Sequence, residues 1–213
     1  LFNRLRRKKD ESKAEEKAAA EPEISPEVRM LTEIRDILKE EYFCRDDKVK
    51  LAMDVAKKEF SLTQGMQHER CANVYIGIPF CPTICAYCSF SSFPAGRYRD
   101  KMDAYLDALE KEMMQCEEWL AGKQMVSVYV GGGTPTSLSE EQFERLMAMT
   151  EKYLPMEQSK EFTVEAGRPD SITEGKLRSM KIHGVTRISI NPQSMKEHTL
   201  ELLGRKHTVE EIR

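Results

Sequence analysis

The sequence lacks the marks of several broad protein classes. Its charges nearly cancel, with 33 lysines and arginines against 36 aspartates and glutamates and a net charge of −3. No broad basic field is therefore available for nucleic acid. No apolar run approaches the roughly 18–20 residues that cross a bilayer, and no signal peptide is recognised. Six cysteines in 213 residues, three of them in one short motif, are too sparse for a disulfide scaffold. Cys44, Cys71 and Cys116 have no evident partners, and Cys116 falls on an apolar helix face where it is expected to be core. The thiols therefore point to a reducing cytoplasm. Leu1 is no initiator and the chain stops at Arg213 within a helical pattern, so a fragment is expected. A chain of this length can bury one good core with a small appendage.

What is there divides in two. Residues 1–24 are mostly Lys, Arg, Glu and Ala and read as a charged linker or solvated helix. Their basic run Arg4, Arg6, Arg7, Lys8 and Lys9 reads as a solvated face rather than a contact for membrane or nucleic acid. Residues 25–70 read as a helical accessory region. Ser25-Pro26 supplies an N-cap and a first-turn proline, followed by Leu31, Ile34, Leu38 and Tyr42 on one face. A second amphipathic helix over 46–60 carries Val49, Ala52, Met53, Ala56 and Phe60.

From residue 74 the pattern changes to alternation of strand and helix. Runs at 74–79, 126–130, 161–166 and 186–190 are rich in Val, Ile, Tyr or Phe. Helical stretches lie between them. One covers 100–119, with Met102, Tyr105, Leu106, Leu109, Met113 and Cys116 on one face. The next follows a capping box of Ser139 and Gln142, a third covers 173–182, and Thr208 with Glu211 opens another box. Four βα units in a row predict an α/β fold with a parallel sheet, whose ligands gather at the C-terminal strand ends.

Those strand ends carry the chemistry. Behind the first run stands Cys81-Pro-Thr-Ile-Cys85-Ala-Tyr-Cys88, a C-x3-C-x2-C spacing. It matches neither the paired C-x2-C units of zinc ribbons nor the C-x2-C-x2-C run of bacterial ferredoxins. Three thiolates can hold three corners of an iron–sulfur cube and leave the fourth iron open. A loop of free cysteines, or a zinc knuckle completed by a distant histidine, is the plainer alternative. Behind the second run, Gly131-Gly132-Gly133-Thr134-Pro135-Thr136 lets backbone approach a ligand, although a flexible turn would use the same residues. Glu165 emerges from the third run, either to bond a ligand or to pair with Arg168 or Arg187. Gln193 follows the fourth run, where a structural role is the alternative. His207 is read as a solvated histidine rather than a ligand.

The cysteine spacing is the signature of the radical S-adenosylmethionine enzymes, and the chain resembles that superfamily. "VYIGIPFCPTICAYCSF", "GGGTPT", Glu165, "RISINPQS" and "LGRKH" occur in the order of the oxygen-independent coproporphyrinogen dehydrogenase family. The resemblance covers about residues 74–207. It implies that 71–213 is the N-terminal part of a radical SAM (β/α)6 barrel, its first four βα units, preceded by the helical region. Cys81, Cys85 and Cys88 would bind a [4Fe-4S] cluster. Tyr75, Tyr87, Gly132, Gly133, Thr134, Glu165, Gln193 and Arg205 fall on the family's contacts to S-adenosylmethionine. The implied reaction in haem biosynthesis removes hydrogen from a propionate β-carbon and, after loss of CO2 and one electron, leaves a vinyl group. It turns coproporphyrinogen III into protoporphyrinogen IX, with a low-potential donor such as flavodoxin or ferredoxin. The propionates would need cationic partners, for which Arg97, Arg99 and Arg168 are available.

One absence qualifies the likeness. The best-characterised dehydrogenases carry a further cysteine two residues after the third ligand, and Phe90 stands there in this chain. Related haem chaperones, which bind haem without decarboxylating it, also lack that cysteine. "EAGRPDSIT" and the helical extension most resemble the clostridial and bacillar branch of the family.

Overall fold

The computed structural model describes residues 25–66 and 68–212. The expected linker or solvated helix over 1–24 lies outside the described residues. The chain divides into two compact units, Leu1–Met66 and Gln67–Arg213.

The first unit is a helical pair. Helix α1 (Pro26–Glu40) starts where Ser25 Oγ accepts a hydrogen bond from Val28 N, with proline in the first turn. Helix α2 spans Asp46–Thr63, three residues beyond the predicted end, and is tied to α1 by a 2.8 Å ion pair between Lys39 and Asp46. Among the described residues of this unit only Val49 is buried, and Ile34 on α1 and Tyr42 just beyond it stay largely open. No described helix is long and apolar enough to cross a membrane.

The second unit is a parallel sheet in the order β1 (Cys71–Ile78), β4 (Gln124–Gly132), β5 (Glu161–Glu165), β6 (Arg187–Ser189). The order follows the chain, as expected for successive βα units of an opening barrel. Two-residue strands β2 (Phe80–Cys81) and β3 (Phe93–Pro94) pair beside it. Between strands run α3 (Ala95–Tyr98), α4 (Met102–Leu120), α5 (Glu140–Tyr153) and α6 (Glu174–Ile182), and α7 (Glu197–Leu202) follows β6.

Alternation decides which face is covered. Ile76, Ile78, Val128, Val130, Phe162 and Val164 point to one side and join Leu106, Phe143, Leu146 and Met147 from α4 and α5 in a single core. Tyr75, Gly77, Tyr129, Gly131, Thr163 and Glu165 alternate to the other side. The rows align across strands, with Tyr75 opposite Tyr129 and Tyr129 opposite Thr163. Both arms of the predicted capping box form at α5, and Thr173 caps α6. Cys116, expected in the core, is only half-buried.

Candidate functional site

The four strand ends converge on one pocket of about 230 Å³. Its lining includes Cys81, Cys85, Cys88, Tyr87, Gly132, Gly133, Thr134, Glu165, Arg168, Gln193 and Arg205. Of the eleven residues singled out from sequence, Tyr75 alone is missing from that wall.

Cys81 ends β2, and Cys85 and Cys88 sit on the excursion from it to β3, which begins and ends at one place because Phe93 N bonds Pro79 O at 2.7 Å. Within it Cys88 N turns back onto Cys85 O at 3.0 Å. The chain after α7 clamps the excursion from outside: Ala86 N donates to Leu203 O and the Thr83 hydroxyl donates to Gly204 O, each at 3.1 Å. Among the described residues no group of three or more His, Cys, Asp or Glu side chains gathers round a single ion. Three thiolates on three different irons of a cube need not converge on one point.

The glycine run forms the opposite wall by close approach. Gly133 N bonds Ile78 O and Thr134 N bonds Phe80 O, both at 2.7 Å. A Cβ on Gly133 would meet Phe80 O at 2.6 Å and the Cys81 sulfur at 3.1 Å. Gly132, at φ +110°, could carry a Cβ only 2.9 Å from the Ile78 backbone. These positions therefore demand glycine, which goes beyond a flexible turn. Buried Thr134 places its hydroxyl 3.4 Å from the Cys81 sulfur.

Glu165 is not paired with Arg168 or Arg187, which bond Asp170 and Glu161 instead. Its Oε1 accepts a 2.6 Å hydrogen bond from the Tyr129 hydroxyl. Burial, then this bond and the nearby carboxylate charge, push the Tyr129 phenol up to about 12, so it stays a donor. Tyr129 in turn stacks on Tyr75 at 5.7 Å between ring centroids. Tyr75 thus reaches the pocket wall through Tyr129 and Glu165, and its own ring is 59% exposed on the uncovered sheet face.

The fourth strand end brings Gln193 to the rim with φ +66°, a left-handed conformation unusual for a side-chain-bearing residue. Arg205 is buried, with Nη1 donating to Asn191 O at 2.6 Å and Gly167 O at 3.1 Å. Its Nε is buried without a hydrogen-bond partner among the described residues. An orphaned guanidinium donor beside three thiols and a carboxylate suits a pocket for a charged, polar ligand. Tyr87 stands half-exposed at the mouth. Burial raises its pKa, with the Arg205 charge working in the opposite direction.

Two sequence expectations fail here. His207 is buried, with Nε2 at 3.3 Å from Pro192 O and Nδ1 at 4.0 Å from Asp170 Oδ1, so it is not a solvated histidine. Arg168 is only 2% exposed and its three nitrogens are occupied, which removes it from the cations open to a propionate. Arg97 and Arg99 remain exposed. Neither Arg168 nor Thr83 was visible as a pair, since 85 positions separate them.

Comparison with known proteins gives a consistent picture. The family model described as the radical SAM superfamily matches residues 75–213. The chain is 39% identical over 178 residues to the oxygen-independent coproporphyrinogen-III oxidase-like protein HemZ of Bacillus subtilis, covering 82% of this chain and 36% of that protein. It is 40% identical over 141 residues to the heme chaperone HemW of the same organism, covering 66% of this chain and 36% of the relative. The solved coproporphyrinogen III oxidase of Escherichia coli, described as a radical SAM enzyme, superposes with a TM-score of 0.60 at 30% identity. That match covers 73% of this chain and 35% of the other. The chain therefore spans about a third of the length of these relatives.

Proposed function

Since the chain belongs to the radical SAM superfamily, whose cofactors are a [4Fe-4S] cluster and S-adenosylmethionine, we propose that it is the cofactor-binding part of an enzyme that oxidatively decarboxylates coproporphyrinogen III. The observation that carries the reading is the single pocket that joins the cysteine excursion to residues from the other three strand ends. Cys81, Cys85 and Cys88 are the cluster ligands in this reading. When bound, the two cofactors supply one-electron reductive cleavage of a sulfonium, the entry to hydrogen abstraction from carbon.

The chain's own residues then bind, orient and shield. Backbone at Gly132 and Gly133, with Thr134, receives the amino acid end of S-adenosylmethionine on a wall that no side chain obstructs. Glu165, held by Tyr129, accepts from a hydroxyl or ammonium of the same ligand. Gln193 and the free donor of Arg205 close the far side. Thr134 in the pocket wall is itself almost fully buried, so that part of the wall is shielded from water. The partners in this reading are the tetrapyrrole and a low-potential electron donor of the flavodoxin or ferredoxin kind, and the setting is cytoplasmic.

A haem-chaperone reading has one specific support. Phe90 lines the pocket where the characterised dehydrogenases have a further cysteine, and a heme chaperone is among the similar relatives. An anaerobic assay of the complete protein with coproporphyrinogen III, S-adenosylmethionine and a reductant separates the two. Vinyl product is expected. Cleavage of S-adenosylmethionine with no vinyl product, together with tight haem binding, would establish the chaperone instead. For the ligands, Cys85→Ala is expected to abolish the iron–sulfur visible absorption, and an intact cubane in that variant refutes the assignment.

A further inference from the structure

We propose that Arg168 is a positioning residue for the cysteine excursion, anchoring its middle and fixing a positive charge beside Cys85 that raises the reduction potential of the cluster held there. The inference rests on the assignment of Cys81, Cys85 and Cys88 as cluster ligands.

The guanidinium is divided between two tasks. Nε and Nη2 form a fork on Asp170, at 3.1 Å to Oδ1 and 3.2 Å to Oδ2. Nη1 faces the other way. It donates to the Thr83 carbonyl at 3.1 Å and to the Thr83 hydroxyl at 2.9 Å, and lies 4.0 Å from the Cys85 sulfur. Thr83 sits between Cys81 and Cys85, so these bonds fix the arm that sets the separation of the two thiols. The side chain is among the largest fully buried in the molecule, at 2% exposure. Buried His207 lies nearby, with Nδ1 4.0 Å from Asp170 Oδ1, too far for a hydrogen bond. A buried charge is retained at this cost only where geometry holds it in place, and the rigid fork of arginine suits such a double contact.

The orientation sets the sign of the electrostatic effect. The aspartate lies on the far side of the guanidinium from Cys85, so the thiol meets the positive end of the pair. Adding an electron to a thiolate-ligated cluster adds negative charge. A fixed cation at the sulfur favours that state, and burial weakens its screening. Loss of the pair is expected to make reduction harder.

The test uses the complete protein reconstituted anaerobically with iron and sulfide, read by iron content, circular dichroism and a potentiometric titration followed by electron paramagnetic resonance. R168Q/D170N removes both charges in near-isosteric form. It is expected to lower the equilibrium constant for reduction about tenfold, a shift of about 59 mV to more negative potential for a one-electron couple. R168K keeps the charge but cannot hold Asp170 and Thr83 together, so its potential should stay near wild type while iron occupancy falls. T83V leaves the pair whole and should also lower occupancy without moving the potential. An unchanged midpoint in R168Q/D170N overturns the electrostatic half, and wild-type occupancy in both R168K and T83V overturns the anchoring half. Should R168Q/D170N lose its fold, folded R168K and T83V decide: reduced occupancy supports the inference and full occupancy overturns it. A wild-type protein that takes up no cluster, or Cys85→Ala with an unaltered one, instead overturns the ligand assignment beneath it.

Discussion

The two faces of the sheet are built from the same strands, one residue out of phase, and have opposite properties. One face presents Ile76, Val128, Val130, Phe162 and Val164 to the helices and buries them almost completely. The other presents Tyr75, Tyr129, Thr163 and Glu165 and is tied by specific hydrogen bonds and one ring stack. The first face gains from non-directional burial, at about 25 cal/mol per Å² of apolar area, and tolerates little loss of volume. The second gains little from burial but fixes where a carboxylate and a glycine wall stand. A period of two thus separates stability from ligand binding within single strands, and substitutions on the two faces should divide along the same line.

The largest effect is expected on the covered face. Phe143 on α5 is fully buried in the core. Phe143→Ala should cost about 3–5 kcal/mol of stability through lost transfer and cavity terms. Thermal unfolding reads this directly; a loss under about 1 kcal/mol would mean that the core relaxes into the cavity, against the close packing inferred here. Next comes the strand end, where both faces meet. Gly133→Ala forces a methyl within 2.6 Å of a backbone oxygen. The overpacking cost is about 1–3 kcal/mol, and affinity for S-adenosylmethionine should fall with it. Wild-type affinity by calorimetry in a folded Gly133→Ala protein would remove the glycine wall from the site.

How much of this was legible depends on distance along the chain. Alternation and caps are local, so the four strands and the capping box at Ser139 and Gln142 could be read directly. Strand limits were less legible because pairing sets them. β4 outgrows its apolar run to Gln124–Gly132 by following β1, while β6 shrinks to Arg187–Ser189 against the short β5. The β2–β3 pair is only two residues long on each side, and it forms because the cysteine excursion closes. Helix α7, with Leu200 its only buried residue, lacks the apolar stripe that would announce it. Within the site, the cysteine spacing and the glycine run are contiguous and readable. The contacts among Thr83, Arg168, Asp170 and His207 join segments far apart in sequence, and nothing in "GRPDS" states that its arginine turns inward. Glu165 shows the same limit, since its partner is Tyr129, on the neighbouring strand and 36 positions away.

A smaller change on the open face sharpens the division. Tyr129→Phe deletes the donor to Glu165 and leaves the ring, its stack on Tyr75 and the core untouched. The lost hydrogen bond corresponds to about 0.5–1.5 kcal/mol, or up to roughly tenfold in affinity for S-adenosylmethionine if Glu165 is held for that ligand. Stability should move little, because Glu165 is half-exposed and can be solvated. If the variant loses stability and keeps its affinity, the open face is structural and the division fails there.

The smallest predicted effect lies on the covered side, where one charged clamp joins two helices. His183 caps the C-terminus of α6, with Nδ1 at 2.6 Å from Glu151 and Nε2 at 2.9 Å from Glu144, both on α5. Burial disfavours the imidazolium, but the two carboxylates more than reverse this and raise the pKa above its ordinary 6.5. A raised folded-state value means that the stabilisation is fully present below pH 6.5 and is lost as pH rises through the folded value. The partners are more than half exposed, so screening keeps the contribution below about 1 kcal/mol. His183→Gln should therefore be less stable than wild type in acid, and the two melting curves should converge above neutrality. A difference that stays constant from pH 5.5 to about 8.5 would show that the imidazole acts there by packing alone, as the rest of the covered face does.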